Sequence, residues 1–248
     1  MRYVATVLVA LMLVLAGCNT GGGGGTPTQS STEANQSVDT SAVPGANTTH
    51  LTNTSRIASA TRQAVSGTAE LNISVDSPAE SKQFRYRNDS EQQRYDISGA
   101  QGLTKTYYVD GDRAAVRNAT TGEVRYSNAT NDIAASAAFD LLVAATAIST
   151  IEYLDWEATG TTTVDGETHY VFEADSVNAT ALNQPLVTIS PNNVTAVSGR
   201  LVVGTDGVAH EGRASIETNE TTTAEFTLDT GDDVEVTAPS WYDESRAS

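Results

Sequence analysis

The chain has little of several residue types on which catalytic and metal sites depend. Of its 248 residues one is a cysteine, Cys18, and only two of its 14 basic residues are lysines, Lys82 and Lys105. A single thiol cannot form an intramolecular disulfide. No His-x₃-His, His-Glu-x-x-His or cysteine pair occurs, so no metal site is predicted. Because a Gly-x-Ser-x-Gly motif is also missing, the sequence predicts no catalytic residue, no cofactor and no enzymatic activity.

Positive charge is also scarce, since 31 acidic residues outnumber the 14 basic ones and the net charge is −17. This balance excludes nucleic acid as a partner, because no basic stripe could neutralise the phosphates. Acid excess with so little lysine is typical of proteins that work in high salt. A role in binding cations or a basic partner is the alternative, although charge alone says more about solubility than about partners.

The amino terminus carries the most specific motif. Arg2 is followed by an apolar run over residues 4–15 and then by Leu15-Ala16-Gly17-Cys18. This pattern is a lipobox, which predicts a signal peptide over residues 1–17 and a lipid on Cys18. A short transmembrane helix is the alternative, but the run is shorter than the ~20 residues that span a bilayer. We therefore expect a protein held at the extracellular face of the cell membrane, with the membrane as its partner.

Composition divides the rest of the chain. Residues 18–48 combine a glycine run with polar residues and few large apolar side chains, which predicts a flexible tether. Residues 49–242 form one predicted domain, and residues 243–248 form a polar tail. Within the domain a helix is expected over Leu51–Val65, followed by strands that begin with alternating apolar residues at Ala69, Leu71 and Ile73.

Tight turns indicate that these strands form an antiparallel meander. Asp110-Gly111, Asp165-Gly166 and Asp206-Gly207 each lie between short β-rich runs, with Thr121-Gly122 as a weaker fourth. Asp-Gly supplies the positive φ angles that tight hairpins require. We count about eleven strands, among which Val234–Thr237 is the last.

One segment departs from the strand pattern. Residues 132–151 are apolar almost all round, which predicts a second helix. A membrane span is the alternative, but Asp140 and the many alanines argue against it. A helix buried against the sheet is expected.

Asparagine sequons are more frequent than the composition predicts. Ten of the fourteen asparagines start an Asn-x-Ser/Thr sequence, which favours glycosylation on exposed loops. The alternative is that the sequons arise by chance, because the strands and turns are rich in threonine. The candidate acceptors are Asn35, Asn47, Asn53, Asn72, Asn88, Asn118, Asn128, Asn178, Asn193 and Asn219.

Basic residues concentrate between Lys82 and Arg125, where eight of the fourteen lie. The two-residue period of a strand places Phe84 and Tyr86 on one face, and Arg85 and Arg87 on the other face. One interpretation is a core on one side and solvated arginines on the other. The alternative is an apolar ligand face with Arg85 and Arg87 as a basic rim for an anionic headgroup. The candidate ligand face comprises Phe84, Tyr86, Tyr95, Phe139 and Leu142, and Tyr107 or Tyr108 and Tyr126 are available to join it.

Three motifs carry a resemblance to a known group. The Tyr-Tyr-Val-Asp-Gly hairpin at Tyr107–Gly111, the hairpin at Val164–Val171 and Pro239–Trp241 near the end are similar to motifs of haloarchaeal surface lipoproteins. More broadly, the chain resembles lipoproteins of the LolA/LppX–LprG type over residues 50–242. The resemblance implies an α+β, mainly β half-barrel, in which helices cover the concave face of a curved antiparallel sheet. Its carrier members move lipoproteins or glycolipids and share no catalytic signature.

These observations lead to two functional hypotheses. The first is a non-enzymatic, lipid-anchored surface protein that binds a lipid-like or glycolipid ligand. The second is a structural or protein-interaction module of the cell envelope with a filled core and no ligand.

The lipobox generates the first testable prediction. Cys18→Ala removes the thiol that accepts the lipid, so the variant should appear in the soluble fraction or keep its uncleaved signal peptide. Membrane fractionation and intact-mass spectrometry distinguish the wild type from the variant. Normal membrane anchoring of the variant would overturn the lipobox assignment.

Overall fold

The computed structural model describes residues 38–79, 81–89, 91–99, 102–128, 151–164, 166–182 and 193–243. The lipobox with Cys18, Asn35, most of the predicted helix over residues 132–151, and Phe139 and Leu142 of the candidate ligand face lie outside these residues. Within them, strands predominate. The elements are α1 (Thr54–Val65), α2 (Ala179–Leu182), β1 (Ala69–Asp76), β2 (Ser81–Asn88), β3 (Gln92–Gly99), β4 (Gly102–Asp110), β5 (Arg113–Asn118), β6 (Val124–Asn128), β7 (Leu154–Val164), β8 (Glu167–Val177), β9 (Ala196–Val203), β10 (Ala209–Glu217) and β11 (Thr221–Thr230).

All eleven strands belong to one curved, open antiparallel sheet in the order β6-β5-β4-β3-β2-β1-β11-β10-β9-β8-β7. Every neighbour is consecutive in sequence except the pair β1 and β11, which joins the two halves of the sheet. The two edge strands, β6 and β7, follow each other in the chain. The predicted fold class, a mainly β protein with a curved antiparallel sheet of about eleven strands, is confirmed.

The predicted hairpins are confirmed by their backbone angles and pairings. Gly111, Gly122, Gly166 and Gly207 have φ angles of 55°, 72°, 84° and 85°. They connect antiparallel neighbours, for example β4 with β5 and β7 with β8. Positive φ is inexpensive only for a residue without a Cβ atom, so glycine fixes each turn.

The pairing of β1 with β11 defines the two faces of the sheet. Leu71 lies opposite Leu228 and Ile73 opposite Phe226, and all four side chains are buried on the same side. We call this side the helix face, because α1 packs on it over β1, β10 and β11. The other side is called the opposite face.

Two features of the sequence determine helix α1, the residue that caps its start and the apolar residues on its buried side. The Asn53 side chain accepts a hydrogen bond from Arg56 N, so the helix begins at Thr54 rather than at Leu51. Its buried residues are Ile57, Ala58, Thr61 and Val65. The Thr61 hydroxyl donates to Ile57 O at 2.9 Å and accepts from Ala209 N at 3.0 Å, which satisfies a buried donor of the sheet.

The packed domain begins earlier than the expected boundary at residue 49. Thr40 is fully buried and Val43 is 1% exposed within the core. Further along, Ala158 N donates to Thr49 O at 2.7 Å and Leu51 N donates to Trp156 O at 3.1 Å. Residues 49–51 therefore cover the free edge of β7 at residues 156–158, which protects that part from pairing with another chain. The part of the expected tether from Thr40 onward belongs to the domain.

The prediction of a strand at Val234–Thr237 is wrong. Residues 232–243 have no regular strand and form what we call the C-terminal strap, which lies on the opposite face. Val236 N donates to Asp89 Oδ2 at 3.4 Å, and the Tyr242 ring lies 4.6 Å from that of Tyr108. Val236 is buried, as the alternating pattern of residues 234–237 predicts. However, no strand of the described residues pairs with this segment.

Two glycines in the sheet accommodate large side chains. Gly212 lies opposite Phe226, and a Cβ atom at position 212 would come within 2.0 Å of the Phe226 Cε1 atom. A Cβ atom at Gly199 would come within 2.8 Å of Trp156 and Leu154. The rings lie over bare backbone, so these positions require glycine for packing rather than for φ.

Gly212→Ala should destabilise the fold by about 1–3 kcal/mol, because the buried Phe226 ring has to move. Denaturant unfolding of the full-length chain measures the change. The matched control is Gly99→Ala, whose new Cβ atom would meet nothing closer than 3.9 Å. Equal stabilities of the two variants would contradict the packing argument.

Candidate functional site

Aromatic side chains form a row on the helix face of β2, β3 and β4. Phe84 and Tyr86 lie opposite Ile73 and Leu71 of β1, as the two-residue period predicted. The rings of Tyr86 and Tyr95 are stacked with centroids 4.8 Å apart. Tyr107 meets Tyr95 edge-on at 6.4 Å, so it is the tyrosine that extends the row.

The other two tyrosines considered from the sequence, Tyr108 and Tyr126, lie on the opposite face. Tyr108 is fully buried beneath Tyr242 of the C-terminal strap. The Tyr126 hydroxyl donates to Trp241 O and accepts from Asp243 N, both at 3.2 Å. These two tyrosines therefore fasten the strap and do not belong to the candidate ligand face.

The aromatic row continues as an apolar surface beyond helix α1. Ile97 of β3 and Val116 of β5 fall on the helix face by register, and both are half-buried. We call the combined surface the aromatic half, which consists of Phe84, Tyr86, Tyr95, Ile97, Tyr107 and Val116. Because α1 packs on β1, β10 and β11, it lies beside the aromatic half and not across its centre.

Arg85 and Arg87 lie on the opposite face, and each pairs with a carboxylate. Arg85 Nη2 donates to Glu70 Oε2 at 2.8 Å, and Arg87 Nη2 donates to Asp96 Oδ2 at 3.2 Å. They cannot form a rim around the aromatic half, because the sheet separates them from it. The basic rim expected from the sequence is corrected to an ion-paired surface on the other side.

Burial and ion pairing also shift the pKa values of these side chains. Burial alone would raise the pKa of Glu70, but hydrogen bonds from Arg85 and Asn72 outweigh it and lower the pKa. The hydrogen bond to Glu70 raises the pKa of Arg85. In contrast, burial and the charges of Arg85 and Arg94 lower the pKa of Arg87, although Asp96 acts in the other direction.

A shallow groove of about 370 Å³ lies where the C-terminal strap meets the turn between β2 and β3. Its lining residues are Asp89, Glu91, Gln92, Glu235 and Val236. This lining is polar and acidic, which does not suit an apolar ligand. Within the described ranges, no three His, Cys, Asp or Glu side chains are grouped as metal ligands. No helix among those ranges has the length and apolarity required to cross a bilayer.

A pair of histidines emerges that the sequence did not suggest. His169 of β8 and His210 of β10 are 41 positions apart in the chain, yet their rings meet edge-on at 4.7 Å. Their Nδ1 atoms lie 3.2 Å from the backbone carbonyls of Glu167 and Leu228. An irregularity in the pairing of β9 and β10 beside His210 brings the two rings together, and the sequence does not reveal such an irregularity.

The sequons differ sharply in accessibility. Asn47, Asn53, Asn193 and Asn219 are exposed, as glycosylation requires. Asn88 is only 6% exposed, and its Nδ2 atom donates to Gly67 O at 2.7 Å and to Ser66 O at 3.2 Å. That nitrogen would carry the glycan, but here it satisfies carbonyls just beyond the end of α1. Asn88 is therefore excluded as an acceptor in the folded protein.

Taken together, the described residues define a class of mainly β proteins with an open sheet, one packed helix and an apolar half-face. A family model described as a family of unknown function, DUF7537, matches residues 3–245. The chain therefore belongs to the DUF7537 family. Its description names no activity, and a search of the curated proteins finds no match.

Several solved structures are similar to the chain over most of their length. LprF from Mycobacterium bovis is 11% identical with a TM-score of 0.39, covering 77% of this chain and 99% of that one. Lipoprotein LppX from Mycobacterium tuberculosis is 12% identical with a TM-score of 0.37, covering 74% and 97%. A LolA superfamily protein from Nitrosomonas europaea is 10% identical with a TM-score of 0.23, covering 72% and 94%. At these values the similarity says nothing about function.

The burial of Asn88 leads to a prediction. Asn88→Ala should destabilise the protein by about 1–3 kcal/mol, because two backbone carbonyls lose their donor. Glycopeptide mass spectrometry of the native protein should find position 88 unmodified. Asn219→Ala, at an exposed position in the turn before β11, is the control and should leave stability unchanged. A glycan on Asn88 of the folded protein would refute the assignment.

Proposed function

We propose that this DUF7537 protein is a non-enzymatic protein, lipid-anchored at the extracellular face of the cell membrane, that binds a lipid-like apolar ligand on the aromatic half. The observation that carries the proposal is the row of apolar side chains from Phe84 to Val116 on the helix face. The lipobox at Cys18 supports the anchor and the location.

The chemistry of the aromatic half suits an acyl chain better than a polar substrate. Aromatic side chains offer about 150–250 Å² each for apolar contact. Phe84, Ile97 and Tyr107 are only partly buried, so contact area remains for a ligand. The Tyr95 hydroxyl is directed to Gln93 Oε1 at 3.2 Å, which gives the row one polar group near its boundary. Such a surface favours apolar ligands that carry a small polar head.

A second function has an observation in its favour. Tyr86 and Tyr95 are only 5% and 2% exposed, and their stacked rings pack as core residues do. This packing favours a structural or interaction module of the envelope, in which the aromatic half is filled by the protein itself. The two functions differ in one measurable property, the presence of a bound lipid.

Native mass spectrometry of the full-length chain, purified from membranes in a non-ionic detergent, tests the proposal. A lipid adduct beyond the covalent anchor, removed by solvent extraction and restored by added fatty acid, is expected. Protein without such an adduct, which takes up no fluorescent fatty acid after extraction, would favour the filled module instead.

A pair of variants locates the ligand. Ile97→Ser should lower lipid occupancy about tenfold, because it removes apolar contact area from the proposed surface. Val197→Ser is the matched control, since Val197 is also half-buried on the helix face but lies on β9 in the other half of the sheet. Thermal unfolding of both variants shows whether each remains folded. Equal occupancy in the two variants would place the ligand elsewhere.

A further inference from the structure

We propose that the opposite face of β2–β5 binds a compact oxyanion, such as phosphate or sulfate, through Arg87, Arg94 and Arg117. We call these three residues the arginine site. Arg87 and Arg94 lie directly opposite each other on the paired strands β2 and β3. Arg117 lies on β5, opposite Thr106 of β4, which in turn lies opposite Asp96 of β3.

The cross-strand arginine pair has a single carboxylate between its two members. Like charges directly opposite each other on a sheet destabilise it unless a counter-charge intervenes. Asp96 supplies one negative charge, with Arg87 Nη2 at 3.2 Å and Arg94 Nε at 2.9 Å from its Oδ2 atom. Two buried or half-buried guanidinium groups therefore share one carboxylate, and one positive charge remains.

Asp96 is already engaged by both arginines and by a threonine. Its Oδ1 atom accepts from the Thr106 hydroxyl at 2.8 Å and from Arg94 Nη2 at 3.3 Å. Its Oδ2 atom accepts from Arg87 Nη2 at 3.2 Å and lies 2.9 Å from Arg94 Nε, but the geometry at Nε is not that of a hydrogen bond. One negative charge thus serves two guanidinium groups, which leaves one positive charge for an anionic ligand.

Arg117 adds a second uncompensated charge. Its Nε atom is buried, and no hydrogen-bond acceptor or ion-pair partner contacts Arg117 among the residues that the structure describes. The Nε atoms of Arg87 and Arg94 are also buried without an acceptor. Buried donors normally find acceptors, so these three N–H groups are available to an oxygen-rich ligand. The three arginines of the arginine site and Asp96 together carry a net charge of +2.

Four other arginines of the sheet differ from these three. Arg85, Arg125, Arg200 and Arg213 each have a carboxylate of their own within 3.1 Å, in Glu70, Glu123, Glu211 and Glu225. The surplus at the arginine site is local, in a chain whose net charge is −17. The lowered pKa of Arg87, caused by burial and by the charges of Arg85 and Arg94, is consistent with this surplus.

Guanidinium groups define the class of ligand. Their planar N–H forks match the oxygen geometry of phosphate and sulfate, and charge-assisted bonds of this type are strong. Tyr108 lies opposite Arg94 and is covered by Tyr242 of the C-terminal strap, so the strap borders the site. The oxyanion is either a free ion or the phosphate of a headgroup. Because the aromatic half lies on the other side of the sheet, this site does not depend on the proposed lipid ligand.

Calorimetric titration of the full-length chain in detergent, at constant ionic strength with chloride as the background anion, tests the site. Inorganic phosphate probes the free ion, and glycerol 1-phosphate probes an esterified phosphate. Saturable binding of at least one probe is expected, together with a melting temperature that rises with its concentration. Arg117→Gln should weaken binding about tenfold or more.

Arg213→Gln is the matched control, because it removes one positive charge from the opposite face of β10 without touching the site. Arg117 has no partner to lose among the described residues, so its variant should remain folded, which the melting temperature without phosphate verifies. Binding that is absent in the wild type, or equally weak in both variants, would overturn the proposal. Since no lipid is added, loss of lipid binding in the earlier experiment would leave this result unaffected.

Discussion

The structure depends on the pairing of β1 with β11. Every other neighbouring pair of strands is consecutive in sequence and closes locally, but this pair joins Ala69 to Thr230 across most of the domain. The ladder aligns Leu71 with Leu228 and Ile73 with Phe226, and helix α1 covers it. Without it, the chain would form two separate meanders, each with an exposed apolar edge. Such long-range pairing forms slowly, because loop-closure entropy opposes it before any contact is gained.

Local physics explains what the sequence predicts. Alternation with a period of two residues identifies strands and their two faces. It correctly places Phe84 and Tyr86 on one face of β2, and Arg85 and Arg87 on the other face. Asp-Gly pairs identify hairpins, since glycine alone accepts the required φ at low cost. These signals require only a few neighbouring residues. They therefore predict the number and pairing of most strands but not the junction between β1 and β11.

Features that involve distant residues could not be predicted in this way. Burial of Thr40 and Val43 depends on the core of the whole domain, although the composition around them is that of a tether. Val234–Thr237 alternates like a strand but finds no strand partner in the described structure, and it serves as part of the strap. Asn88 begins a sequon, but in the folded protein its side chain donates hydrogen bonds to the carbonyls of Ser66 and Gly67. In each case tertiary contacts decide between outcomes that the local sequence leaves open.

The sheet itself divides the chemistry of this protein. Side chains on adjacent positions of one strand face opposite environments, so Tyr86 contributes to an apolar surface while Arg87 meets Arg94 and Asp96 on the other side. A single amphiphilic ligand cannot contact both, because the hydrogen-bonded backbone lies between them. The proposed apolar site and the proposed anion site are therefore separable on the same strands.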